Sequence, residues 1–155
     1  ADFGLCFAKN LPASIEFTPL ADDRYVAACR HDHPLARKTH LSWQAYFEQD
    51  YIGLDRVSGN RTLLDRELAH LTPARPSICE TRHVTTMLGM VEAGIGIAAV
   101  PAMSMPAREH SVLRAVPLTD PVVTRTVGLI RLSGRIQSYV AAELEKLIIE
   151  QYPSG

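Results

Sequence analysis

Two stretches of this sequence place polar and cationic side chains where an apolar strand pattern gives way to a helical one. The first is Leu54-Asp55-Arg56-Val57-Ser58-Gly59 and the second is Thr81-Arg82-His83-Val84-Thr85. A helix start leaves backbone N–H groups without intrahelical partners and carries partial positive charge. Anions bind at such ends, and ligands of open α/β sheets sit beyond the carboxyl ends of strands. The two stretches therefore read as a candidate site for a small carboxylate. Leu54, Asp55, Arg56, Ser58, Arg82, His83, Val84 and Thr85 border it, with Arg61 nearby. A plainer reading stands beside it. Ser58 is then only an N-cap, the arginines are solvated or pair with Asp55 and Asp65, and Arg82 and His83 are a strand-end polar pair.

Other chemistry is weaker. Cys29, His31 and His33 alternate, so on a strand they share one face and could hold zinc. Pro34 and the lack of a second ligand cluster favour exposed loop histidines instead. Gly94-Ile95-Gly96-Ile97-Ala98-Ala99 has the spelling of a dinucleotide loop. That loop needs a strand before it and a helix after it, whereas here a helix pattern precedes and a strand pattern follows. The two glycines instead suit a helix C-cap and a tight entry into a sheet. There is no G-x-S-x-G elbow and no H-E-x-x-H. The carboxylates are dispersed, and Cys6, Cys29 and Cys79 each fall in an apolar strand, where thiols are usually inert. The expectation is a protein that is not an enzyme and uses no cofactor or metal.

The elements that must position these residues follow from periodicity. Asp2–Ala8 reads as a buried strand. Ile15–Cys29 reads as two extended pieces with a turn or bulge at Asp22-Asp23. Ser42 caps a short helix, with Leu41 stapled against Tyr46. Tyr51–Leu54 is a strand, and Leu64, Leu68 and Leu71 form the buried face of a second helix that Pro73 and Pro76 stop. Ser77–Glu80 is a strand. Val84, Met87, Leu88 and Val91 mark an amphipathic helix ended by Gly94, and Ile95–Val100 is a strand closed by Pro101. Val112–Val116 and Val122–Leu132 are extended. Ile136, Val140, Leu144, Leu147 and Ile148 make a last helix. Strands alternating with helices predict an α/β fold with mostly parallel pairing.

Composition narrows the class. With 155 residues, 46% hydrophobic and 21% charged, the chain suits one globular domain or two small lobes. Its net charge of −1 lacks the basic stripe of a nucleic-acid binder. Three scattered cysteines do not make a disulfide framework and suit a reducing compartment. No apolar run has the length of a membrane span. The chain opens without Met in a strand-like segment, so a preceding natural portion is expected.

Three motifs in order suggest a family. Asp2-Phe3-Gly4-Leu5 resembles the D-x-x-I strand of LysR-type bacterial transcription regulators. His33-Pro34-Leu35-Ala36 resembles their recurrent HPLA turn. Val91–Pro101 looks like their V-x-A-G-x-G-I-x-x-x-P segment. The resemblance covers nearly the whole chain. It implies a type 2 periplasmic-binding-protein-like fold: two α/β lobes joined by two crossing strands, Phe17–Arg30 and Val122–Leu132, with the effector in the interlobe cleft. Residues 1–22 and 122–155 would form an incomplete first lobe, and 23–121 the second lobe with a crossing strand. The DNA-binding helix-turn-helix and the first two strand-helix units of the first lobe would lie outside the chain. The implied function is a cytoplasmic regulatory domain that senses a small, anionic effector. It would act as a homodimer, through which an exposed face such as Leu63 or Leu71 could pair, and reach DNA only through another domain, with no membrane contact. The alternative is a periplasmic solute-binding protein of a transporter.

Overall fold

A computed structural model describes residues 2–7, 11–107 and 112–152. The chain divides into two compact units, one of Ala1–Asp23 with Thr124–Gly155 and one of Arg24–Val123. The strand β2 (Ile15–Arg30) contributes its first half to one unit and its second half to the other.

The Arg24–Val123 unit is a mixed sheet buried on both faces. The second half of β2 pairs antiparallel with β6 (Ile97–Pro101) on one side and β7 (Leu113–Thr119) on the other. The two-residue β3 (Leu41–Ser42) lies parallel to β7. Beyond β6, β4 (Tyr51–Leu54) and then β5 (Cys79–Thr81) run parallel. Strand alternation sorts the apolar runs. Tyr25, Ala27, Cys29, Ile97 and Ala99 face one cluster, and Val26, Ala28, Ala98 and Val100 face the other. The first cluster is covered by α1 (Trp43–Phe47) and α2 (Gly59–Glu67), the second by α3 (Val84–Glu92). Met87, Leu88 and Val91 are the buried residues of α3, as the spacing predicts. Each such side chain contributes about 1.5–3 kcal/mol by leaving water. Two long-range bonds pair polar groups in this core: Trp43 Nε1 donates to the Pro121 carbonyl at 3.0 Å, and Ala99 N donates to Tyr46 Oη at 2.9 Å.

Helix ends follow their local chemistry. Ser42 accepts from Ala45 N at 3.2 Å. Gly94 takes φ 81° after α3, while Gly94 N donates to Val91 O and Ile95 N to Met90 O, the paired bonds of a Schellman cap. Gly96 is needed for another reason, since a Cβ there would run into the Asp50 carbonyl. The glycines thus serve a cap and a close approach, with the helix before them and the strand after.

In the other unit, β1 (Gly4–Phe7) pairs antiparallel with β8 (Thr124–Leu132), and β8 lies beside β2. Gly128 lets these strands close, because a Cβ would meet the Thr18 carbonyl and the Phe17 ring. Arg125 Nη2 donates to the buried Asp23 carboxylate at 3.0 Å and stacks its guanidinium 5.2 Å from the Phe7 ring. The last helix, α4 (Tyr139–Gln151), has Ser138 as its cap: Ser138 Oγ accepts from Ala141 N and donates to Asp2. These bonds from Ser138 hold the Asp2 carboxyl below its ordinary pKa.

Several expectations are corrected. Pairing is mixed, not mostly parallel, because the long strands β2 and β8 run against their neighbours. β2 is one strand, not two pieces. Asp22 accepts from Thr126 Oγ1 at 2.7 Å and Asp23 pairs with Arg125, so both aspartates have side-chain partners on β8 and need no turn. α2 ends at Glu67, so Leu71 packs from the loop beyond it. Leu63 and Leu71 both lie against the first cluster, which removes them as an exposed pairing face. α4 begins at Tyr139 because Ser138 caps it, leaving Ile136 outside, 93% exposed.

Candidate functional site

The two predicted stretches meet because β4 and β5 are parallel neighbours. Leu54 is opposite Thr81, and Asp55 N extends the ladder by donating to Thr81 O at 3.0 Å. α2 and α3 therefore start beyond the same edge of the sheet. Asp55 builds the first turn: its Oδ1 accepts from Val57 N at 3.2 Å and its carbonyl accepts from Ser58 N. Its Oδ2 lies 3.5 Å from Arg82 Nε, tying the two loops together through a partly exposed ion pair.

Both helix starts lack the cap found elsewhere in the chain. Ser58 and His83 occupy the N-cap positions of α2 and α3 in extended conformation, and neither side chain bonds the first turn. Ser42 and Ser138 do so at α1 and α4. The reading of Ser58 as only a capping side chain is thereby set aside. Among the described residues, the exposed side chains of Arg56, His83 and Thr85 form no hydrogen bond or ion pair.

Other residues near the site have structural tasks. Leu54 is 3% exposed; its side chain belongs to the second core cluster and its carbonyl accepts from Arg61 Nη1 at 2.8 Å. Val84 packs on the same cluster. Arg61 is folded back, donating to Asp65 at 2.8 Å with Glu80 at 3.4 Å, and these bonds raise its pKa. The sequence pairing of Arg61 with Asp65 and of Arg82 with Asp55 is what the plainer reading anticipates. Sequence reasoning missed Tyr25, whose hydroxyl donates to Asn60 Oδ1 at 2.7 Å and fixes the first turn of α2. Only the fold brings residues 35 positions apart to this bond.

The alternating Cys29, His31 and His33 do not gather. Cys29 is fully buried, and burial pushes its thiol up to about 11. His31 Nδ1 lies 3.1 Å from the Val112 carbonyl, and His33 Nδ1 accepts from Leu35 N to cap the short 3-10 turn Pro34–Arg37. Among the described residues no group of three or more His, Cys, Asp or Glu could hold a metal ion. No helix among them is long and apolar enough to cross a membrane.

The family description "LysR substrate binding domain" matches residues 1–153. The chain belongs to this family. One similar relative is an uncharacterized HTH-type transcriptional regulator, YbhD, of Escherichia coli K12. It is 40% identical over 149 residues, which is 96% of this chain and 47% of the relative. The chain spans about half the length of the curated relatives it matches first. Among solved structures, the effector-binding domain of QuiR in complex with shikimate superposes with a TM-score of 0.78 at 23% identity. It covers 97% of this chain and 71% of that one. The regulatory domain of Synechocystis PCC6803 CcmR in complex with 2-PG superposes at 0.79 with 18% identity, covering 99% and 74%. These likenesses establish the mixed α/β fold of LysR effector-binding domains, the type 2 periplasmic-binding-protein-like architecture.

Proposed function

We propose that this LysR-family domain is the effector-sensing part of a bacterial transcription regulator, and that it holds a small anionic effector at the paired starts of α2 and α3. The observation that carries the reading is the pair of N-cap residues, Ser58 and His83, whose side chains leave their helices uncapped at adjoining ends of parallel strands. Two helix dipoles and the cations Arg56 and Arg82 favour negative charge there. Arg56, His83 and Thr85 are exposed and uncommitted, so they supply direct contacts. Asp55 and Arg82 brace the loops, and Leu54 and Val84 hold strand end and helix start in the core. The interlobe cleft that the family resemblance implies belongs to the same proposal. Relatives named as transcriptional regulators, and neighbours solved with shikimate and 2-PG, support a sensor over a transporter's binding protein. An effector with higher affinity for one arrangement of the protein shifts its population. In the longer, homodimeric and cytoplasmic regulator, that shift reaches DNA through another domain.

A thermal-shift screen of the domain with small carboxylates and their neutral amides tests this. A carboxylate at about 100 times its dissociation constant stabilises the fold by about 2.7 kcal/mol. The matching amide leaves the melting temperature unchanged, and Arg56→Glu removes the carboxylate's effect. Equal shifts from acid and amide, or no shift from any acid, would overturn the anion reading.

A further inference from the structure

The face of β4 that looks toward α1 and α2 has a gap in it. Tyr51 points to that face, Gly53 has no side chain to offer it, and neighbouring β6 presents the small Ala99 beside Ile97 there. Large side chains surround these small ones. Tyr46 and Phe47 lie 5.2 and 5.5 Å from the Tyr51 ring, centroid to centroid, and Leu64 and Leu68 come from α2 and its end. The far wall is the segment Leu71–Ser77. It is held in place by Tyr51 Oη donating to the Arg75 carbonyl at 3.1 Å and by an Arg75–Asp50 ion pair at 3.1 Å. Gly53 permits this closure, since a Cβ there would come within 3.0 Å of Ser77 Oγ. The result is a groove of about 910 Å³ within the Arg24–Val123 unit.

We propose that this groove is a second binding site, for a small, uncharged molecule with a ring. Its volume lies in the range of small-molecule sites, and its lining combines aromatic and aliphatic side chains with a few charged ones. Its charged side chains point to a neutral occupant. Arg61 is satisfied by Asp65 and Glu80, and Arg75 by Asp50, leaving exposed Arg56 as the one lining cation with no acidic partner. The partly exposed Phe47 ring, backed by Tyr46 and Tyr51, offers offset or edge-on stacking to a ring. The effector region proposed above has the opposite character, with helix dipoles and cations in place of aromatic walls. The two proposals share Leu54 and Arg56 at their border, but the groove rests on its aromatic wall and the Leu71–Ser77 segment, so they can fail separately.

The test is a fluorescence titration of the chain with N-phenyl-1-naphthylamine, an uncharged aromatic probe. One saturable site per chain is expected. Ala69→Phe and Ala74→Phe, at exposed positions that line the groove, each fill it and weaken binding by about tenfold or more, a change of about 1.4 kcal/mol. Leu144→Ser on α4 leaves binding unchanged, and saturating small carboxylates do not displace the probe. Unchanged affinity in both filled variants overturns the proposal. So does loss of binding in the Leu144 variant, which would put the probe on α4, or displacement by carboxylates, which would merge the two sites.

Discussion

The two units are built from similar strands but hold their apolar residues very differently. Both core clusters lie wholly within Arg24–Val123, where Trp43, Tyr46, Met87 and Val91 are almost completely removed from water. In the other unit α4 has no buried residue, and Tyr139, Val140, Leu144 and Leu147 are 80, 75, 49 and 56% exposed. What is buried there is Leu129 and the Asp23 carboxylate, which pairs with Arg125 beside the Phe7 ring. The contrast teaches that amphipathic periodicity and burial are separate properties. α3 and α4 carry similar apolar stripes, yet only α3 has buried its own.

The sharpest way to break this contrast is truncation. Trp43→Ala should destabilise the protein by about 3–5 kcal/mol, as large-to-small changes in a packed core do. Leu144→Ala should cost under about 1 kcal/mol, because about half of that residue already meets water. Urea denaturation of both variants measures this, and equal costs would dissolve the distinction.

The ion pair comes next. Asp23→Ala leaves Arg125 partly buried without its carboxylate, and losing one partner of a buried pair costs about 3–5 kcal/mol. Arg125 is 15% exposed in its side chain, so water relieves some of this and the lower end is expected. Arg131→Ala, which breaks an exposed pair with Glu16 and a longer one with Glu145, should cost about 1 kcal/mol or less in the same denaturation experiment. A small effect of Asp23→Ala would mean that the polar centre of this unit contributes little.

The smallest expected difference separates two serines. Ser138→Ala removes a real cap from α4 and should lower stability by about 1 kcal/mol. Ser58→Ala removes a hydroxyl that caps nothing and should change stability by a few tenths at most. The melting temperatures of the two variants check the order. A reversal would mean that Ser58 has a structural rather than a ligand-facing task.

The sequence by itself determined much of the local structure. The i, i+3, i+4, i+7 pattern over Val84–Val91 sets the buried face of α3, Ser42 sets the start of α1, and Gly94 sets the end of α3, because each is governed by bonds and contacts within one turn. The HPLA turn and the Val91–Pro101 segment carried the family. The sequence also marked both helix starts as anion-friendly, and did not show that Ser58 leaves α2 uncapped or that Arg61 also reaches the Leu54 carbonyl and Glu80. Tertiary structure alone decided the direction of strand pairing, the Tyr25–Asn60 bond, the Asp23–Arg125 pair 102 residues apart, and the groove floored by Gly53 and Ala99. The physical reason is range. Caps and periodicity act over a few residues, whereas these features need surfaces from distant parts of the chain to meet, and no local propensity encodes which surfaces those are.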